Sequence, residues 1–320
     1  MELNRSNTSI EGISSSPDST GENNTNVGNT TGGASPNEEV SGLSQKEISD
    51  PNKIQVTISN RKAPIVVLFG PGKCGKTMIQ IRLARYLHEK GCTVNPVRNF
   101  RPAYDKNYKE MCDKYSEFVN NESAASSTNM LSFMLLEVLD CKGNTICQIL
   151  EAPGEHYHSI QNPQAKFPAY ISQLINDATR KIWVITLEPN WNPDAESQEY
   201  NLESYVEKIK TLKTKINRRD KVIFLYNKID TTKLLQSQNQ VNHKEMIAQI
   251  KDHFVGIFEP FKNTNPITSF WRPYNCDVLP FTTGTFNTYQ DGIETKTKYS
   301  VGSSAFPDKL WKTLMKYIKG

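Results

Sequence analysis

The chain has 320 residues, a formal net charge of +4, 37% hydrophobic residues and six cysteines. That length allows one large domain or two modest ones around a real core. It contains no apolar stretch of membrane-spanning length, no C-x-x-C pair and no basic stripe with interleaved aromatics. A membrane-spanning protein, a disulfide scaffold and a nucleic-acid binder are therefore all disfavoured.

Residues 1–50 are rich in Ser, Asn, Thr, Gly and Glu, and no aromatic residue occurs before Phe69. Such a stretch cannot bury enough apolar surface to offset chain entropy, so residues 1–52 are expected to form a disordered acidic tail. The tail lacks the basic start and apolar run of a secretory signal. Residues 1–50 hold eight acids and two bases, a net −6, which leaves +10 for the other 270 residues. An acidic partner or an anionic membrane surface suits that excess, but along the sequence Lys and Arg are scattered and not clustered. Stable membrane insertion is not expected. Cysteines without a pairing pattern are expected to be the reduced thiols of a cytoplasmic protein.

The elements follow in order. Ile54–Ile58 reads as a short strand or lead-in, and Ile65–Phe69 as the first core strand. The Gly70-Pro-Gly-Lys-Cys-Gly-Lys-Thr77 turn leads into a helix from Lys76 to about Lys90, stopped by Gly91. Residues 92–127 read as an insertion with a strand near Val94–Phe100 and a polar helix near Tyr104–Val119. Leu131–Leu139 and Thr145–Leu150 form a hairpin around the polar Asp140–Asn144 loop. A helix near Ala169–Ala178 precedes the strand Ile182–Leu187, and a helix near Gln198–Ile216 precedes Lys221–Tyr226. A helix near Lys244–Phe261, a strand at Val278–Phe281, a small hairpin insert within 284–305 and an amphipathic helix Pro307–Lys319 complete the chain. Alternating strands and helices predict a mostly parallel α/β sheet covered on both faces, with ligands at the carboxyl ends of its strands.

Three sets of residues fall at those carboxyl ends. In the first, Gly70, Gly72 and Gly75 allow a tight turn whose N–H groups, with those of Lys73 and Cys74, face an anion at a helix start. Lys76 is placed against the outer phosphates, and the Thr77 hydroxyl can ligate Mg²⁺. In the second, Glu151-Ala-Pro-Gly-Glu155, Glu151 is expected to hold Mg²⁺ through water and the Gly154 N–H to face the terminal phosphate. Glu155 stands where a group orienting the attacking water is useful, with His156 and His158 as alternatives. Thr128, with Ser127 as its competitor, lies on a flexible loop able to reach the metal and sense the nucleotide. In the third, Asn227-Lys228-Ile229-Asp230, the Asn227 amide can donate toward guanine O6/N7 while the Lys228 stem lies against the ring. The Asp230 carboxylate accepts from N1–H and N2–H₂. Adenine lacks that donor pair, so Asp230 would be left unpaired beside it. Thr283 follows the last strand and can supply a backbone N–H to O6.

Those motifs, in that order, resemble the Ras-like and translation-factor class of P-loop GTPases over roughly residues 62–320. The chain departs from it with Glu at 151 for the usual Asp, Glu155 for the usual Gln or His, and Thr283-Gly284 for the usual Ser-Ala. The resemblance implies a three-layer P-loop sandwich over 53–320, with a mostly parallel six-stranded sheet and one antiparallel edge strand. It also implies GTP and GDP as ligands, Mg²⁺ as cofactor, hydrolysis of GTP to GDP and phosphate, and loops that change with nucleotide. A protein effector or regulator is the expected partner, and dimerisation is open. Two other readings stay open: a GTP-binding scaffold with negligible turnover, and an ATPase with a coincidental N-K-x-D.

Overall fold

The computed structural model describes residues 43–120, 133–159, 162–189, 198–236, 239–291 and 294–320. One sheet is built from β1 (Ile65–Phe69), β2 (Thr93–Pro96), β3 (Met134–Leu139), β4 (Thr145–Glu151), β5 (Lys181–Leu187), β6 (Lys221–Tyr226) and β7 (Asp277–Pro280). Their spatial order is β2-β3-β4-β1-β5-β6-β7. From β4 to β7 all neighbours run parallel, whereas β3 is antiparallel to both β2 and β4. The sheet thus has one strand more than the six expected, because Thr93–Pro96 adds an edge. The antiparallel member is one place in from that edge. Every residue of β1 and β5 is buried, as a strand covered on both faces requires.

The covering helices are α2 (Lys76–Glu89), α3 (Lys106–Asn120), α4 (Gly154–Tyr157), α5 (Ala169–Asn176), α6 (Gln198–Lys215), α7 (His243–His253) and α8 (Ala305–Lys319), preceded by the short α1 (Gln45–Ser49). The result is a three-layer α/β sandwich in which β1, the glycine-rich turn and α2 have the layout of a P-loop. The apolar stripe of α8 meets the core through Phe306, Leu310, Leu314 and Tyr317. The hairpin between β3 and β4 turns on Asp140, whose Oδ1 accepts from the Lys142 and Asn144 N–H groups at 2.9 and 2.8 Å.

Several boundaries differ from expectation for local reasons. Residues 106–120 are integral to the fold, because Tyr108, Met111, Cys112, Tyr115 and Val119 put a buried helical stripe on the core. Ile54–Ile58 forms no strand; Ile54 is buried and the Thr57 N–H donates to the Phe100 carbonyl at 2.8 Å. Helix α7 ends at His253, well before Phe261; Gly256, at φ 77°, and a 3₁₀ turn over Glu259–Phe261 follow it. Residues 43–52, expected within the tail, are folded. Ser44 and Glu47 form a capping box on α1, and Glu47 pairs with the buried Arg101 at 2.6 Å. Beyond β7, β8 (Thr285–Asp291) and β9 (Glu294–Ser300) pair as a separate two-stranded sheet.

Candidate functional site

The carboxyl end of β1 runs straight into the Gly70–Gly75 turn, and the turn delivers the chain to α2. Two of its residues take left-handed backbone, Lys73 at φ 64° and Gly75 at φ 90°, with Gly75 the N-cap of α2. A side chain at Gly75 would be strained by its φ, and its Cβ would stand 2.6 Å from Asn227 Nδ2. Lys76 is buried and donates from Nζ to the Pro71 carbonyl at 2.8 Å, so the ammonium lies back across its own loop.

The second residue of α2, Thr77, donates from Oγ1 to Glu151 Oε1 at 2.5 Å. Glu151 ends β4, two places from β5 in the sheet, and is fully enclosed. Burial pushes its carboxyl up to about 7, against the pull of Lys76 and the Thr77 hydrogen bond. Its second oxygen, Oε2, is buried with no partner. A buried carboxylate oxygen without a donor, beside the Thr77 hydroxyl, offers oxygen ligands to a hard cation. Among the described residues no three His, Cys, Asp or Glu side chains form a metal cluster. Mg²⁺ needs no such cluster when a ligand's phosphates and water complete its shell. Glu151 and Thr77 would hold Mg²⁺ only together with oxygens from a ligand or water, and do not form an all-protein cage.

Gly154, the first residue of α4, packs directly on the turn: a Cβ there would stand 2.0 Å from the Gly72 nitrogen. Glu155 is exposed, with its carboxylate beside Gly72. The two histidines considered with it are not solvated loop residues. His156 is buried and its Nδ1 is 2.7 Å from the Tyr170 hydroxyl. His158 is buried next to Ser204. Burial depresses both imidazoles to about 4, so both are neutral near pH 7. Thr128 and Ser127 lie outside the described residues.

The Asn227–Asp230 set follows β6 and meets the glycine turn from the side. Asn227 is fully buried; its Nδ2 donates to the Cys74 carbonyl at 3.0 Å, and its Oδ1 has no partner. Lys228, at φ 56°, donates from Nζ to the Lys73 carbonyl at 3.2 Å and pairs with Glu188 at the end of β5. Asp230 lies exposed on a 3₁₀ turn anchored by the buried Ile229. Thr283 is buried near Gly75, and the preceding Thr282 carbonyl accepts from Arg82 of α2. Cys74 is enclosed and its thiol is pushed up by desolvation, so it acts as a small packing residue in the turn.

The structure thus gathers Gly70–Thr77, Glu151, Gly154, Glu155, Asn227, Lys228 and Thr283 at one end of the sheet. Two contributors have no signature in the sequence. Glu188 holds Lys228, and Arg82 ties α2 to the loop after β7. Their only sequence cue was position, just past a core strand and one helical turn beyond Thr77.

No protein-family model matches the chain, and no curated protein matches it. Among solved structures it is similar to the Saccharomyces cerevisiae Ski7 GTPase-like domain bound to GDP and inorganic phosphate. That similarity has 13% identity and TM-score 0.39, over 81% of this chain and 50% of that one. The chain therefore spans about half the length of the Ski7 chain. It is also similar to the signal recognition particle receptor SRb-GTP/SRX complex from Chaetomium thermophilum, at 12% identity and TM-score 0.38 over 79% and 98% of the two chains. The Methanosarcina barkeri Roco2 RocCORdC structure bound to GDP has 14% identity and TM-score 0.30, over 82% and 52%.

Proposed function

We propose that this protein binds GTP with Mg²⁺ and hydrolyses it to GDP and phosphate, as a nucleotide-dependent switch of the Ras-like and translation-factor class. One observation carries the proposal: the Asn227 side chain grips the Cys74 carbonyl while Thr77 and Glu151 meet at the other side of the same turn. A base-reading element and a cation-ready pair are thereby locked to one phosphate loop. Lys76 neutralises phosphate charge, the turn's N–H groups bind phosphate oxygens, and Asp230 accepts from the guanine edge. Thr77, Glu151 and Thr128 would hold Mg²⁺, which when bound offsets charge on the β- and γ-phosphates. Glu155 orients the attacking water, and the Gly154 N–H faces the terminal phosphate. The likeness to GTP- and GDP-bound domains accords with this reading. A cytoplasmic location and a protein effector or regulator are part of it.

Competition binding separates guanine from adenine nucleotides, and single-turnover hydrolysis tests the enzyme. GTP affinity well above ATP affinity, with both binding and phosphate release lost in Lys76→Ala, is the expected result. Equal ATP affinity would end the guanine assignment. A second reading, a GTP-binding scaffold with negligible turnover, is favoured by the exposed Glu155 and the buried, neutral His156 and His158. Tight GTP binding with no phosphate released over hours, alone or with a partner, would select it.

A further inference from the structure

Parallel strands bring their starts together. Ile65 of β1 pairs in register with Lys181, Ile182 of β5 with Lys221, and Ile223 of β6 with Asp277. The segments entering these strands therefore lie at one pole of the sheet, a strand's length from the glycine turn (about 17 Å for five residues). Those segments, with the end of α8, bring together six of the 38 Lys and Arg residues that the sequence scatters. Arg61 and Lys62 precede β1, Arg218 and Arg219 precede β6, Arg272 precedes β7, and Lys319 ends α8; all are exposed. The end of α8 is fixed at this pole because Arg180 donates to the Ile318 carbonyl and Arg272 to the Tyr317 hydroxyl. Acids at this pole are buried or paired, and Arg61 and Arg272 are partly offset by Asp177 and Asp277. Asp220 is buried, accepting from Lys181 N, Trp183 Nε1 and Asn217 N. Asp177 accepts from Thr179 N, and Asp277 pairs with Arg272 and Lys316.

From the same pole projects the loop before β7, with Ile267, Phe270 and Trp271 exposed by 80, 82 and 83%. The loop is braced and not slack. Asn263 Nδ2 donates to Thr268 Oγ1 and the Arg272 carbonyl, both at 2.9 Å, and Asn265 Oδ1 accepts from Ile267 N at 2.9 Å. The backbone also bridges Lys262 to Tyr274. Three large apolar side chains on a braced loop, at a pole that also carries exposed bases, fit a surface that is apolar beneath and anionic above.

We propose that this pole docks peripherally on an anionic lipid bilayer, with Phe270 and Trp271 entering the interface and the bases meeting the headgroups. A nucleic acid is the poorer fit, because the aromatics form one protruding knuckle and are not interleaved with the bases along a groove. Docking in this way leaves the phosphate turn facing away from the membrane, accessible to nucleotide and to a protein partner.

Vesicle flotation of the full chain tests this, comparing pure phosphatidylcholine with vesicles containing about 30% phosphatidylserine. The expected partition into anionic vesicles is at least roughly tenfold higher and falls at high salt. Phe270→Ser with Trp271→Ser, or Arg218→Glu with Arg219→Glu, lowers it by about tenfold or more. These positions are exposed, and an unchanged melting temperature and GTP affinity would confirm that the fold and the nucleotide site survive. Brominated lipid should quench a fluorescence component that Trp271→Ser removes. Equal partition into both vesicle types, or retention of binding by both double variants, would overturn the proposal. So would binding to a soluble polyanion alone, without quenching, which would assign the pole to an acidic polymer.

Discussion

Asn227 Nδ2 donates to the Cys74 carbonyl at 3.0 Å across 153 residues of sequence, both groups buried. The bond joins the loop after β6 to the turn after β1, so the segment Asn227–Asp230 also helps fix the curvature of the glycine turn. Asn227→Ala removes the donor and leaves the Cys74 carbonyl buried without it. Expected are a loss of roughly 1–3 kcal/mol in stability and a weaker affinity for guanine nucleotides. Urea unfolding and nucleotide titration measure the two. Undiminished affinity would show that the two loops act independently.

Glu151 gives the apo protein a pH dependence of definite sign. Its folded carboxyl lies near 7 against an ordinary value of 4.5, so between these values the folded state holds more protons than the unfolded state. The contribution to stability is fully present below about 4.5 and is lost as pH rises through about 7. Over that window it is on the order of 3 kcal/mol. Denaturation of the nucleotide-free chain across pH 4.5–8 should show this decline, and Glu151→Gln should flatten it. Mg²⁺ binding favours the ionised form, so Mg-GTP affinity should weaken below pH 7 in the wild type. An identical pH profile in the Gln variant would remove Glu151 from both roles.

Gly154 can be tested by adding one methyl group. A Cβ 2.0 Å from the Gly72 nitrogen and 2.1 Å from the Pro71 carbonyl carbon meets backbone, which has no rotamer to yield. Gly154→Ala should cost roughly 1–3 kcal/mol and displace the turn, lowering triphosphate affinity more than that of the nucleoside. Gly143→Ala is the control: its φ of 81° is strained too, but it lies in the β3–β4 turn with nothing within 4 Å of its Cβ. Equal effects of the two variants on nucleotide affinity would mean that Gly154 does not bear on the site.

The parts legible in the sequence are those set by contiguous residues. The apolar run Ile65–Phe69, the turn and α2 form one local unit, and Asp140–Asn144 contains all the chemistry of its turn. What escaped depends on partners distant in sequence. The order in residues 43–52 rests on Glu47 reaching Arg101, 54 residues away, and the burial of His158 on Ser204 of α6. The clustering of the bases depends on strand register, which brings Arg61 and Arg219 to one pole only after the β1–β5 and β5–β6 parallel pairings form. Strand order also explains the extra edge: Thr93–Pro96 alternates exposed and buried at its start but gains its place by pairing with β3.

The ordered segment before the core invites its own test. Arg101 is buried and donates to Glu47 Oε1 at 2.6 Å, Asp105 Oδ2 at 2.8 Å and the Gln55 carbonyl at 2.8 Å. Arg101→Met therefore strands two carboxylates and should destabilise the chain by roughly 3–5 kcal/mol. Glu47→Gln keeps a hydrogen-bond acceptor and should cost less. Limited proteolysis should then cut near residues 43–55 in the Met variant before the core opens. Resistance equal to the wild type would mean that the segment is held by Leu43 and Ile54 alone.

Base choice can be inverted at a single position. Asp230 is exposed at the surface of its turn, so substitution there disturbs no packing. Asp230→Asn replaces two acceptor oxygens with one acceptor and one donor amide. Against guanine the amide faces N–H donors, and GTP affinity should fall by roughly 1.5–3 kcal/mol, the worth of a charged hydrogen bond. Xanthine presents a carbonyl where guanine has its exocyclic amine, so xanthosine triphosphate should gain in the same variant. Displacement of a fluorescent guanine nucleotide by the two triphosphates, in wild type and variant, gives the double difference directly. A fall in GTP affinity without a gain for xanthosine triphosphate would mean that Asp230 acts through general charge and not through the base edge. No change in either would remove it from the site.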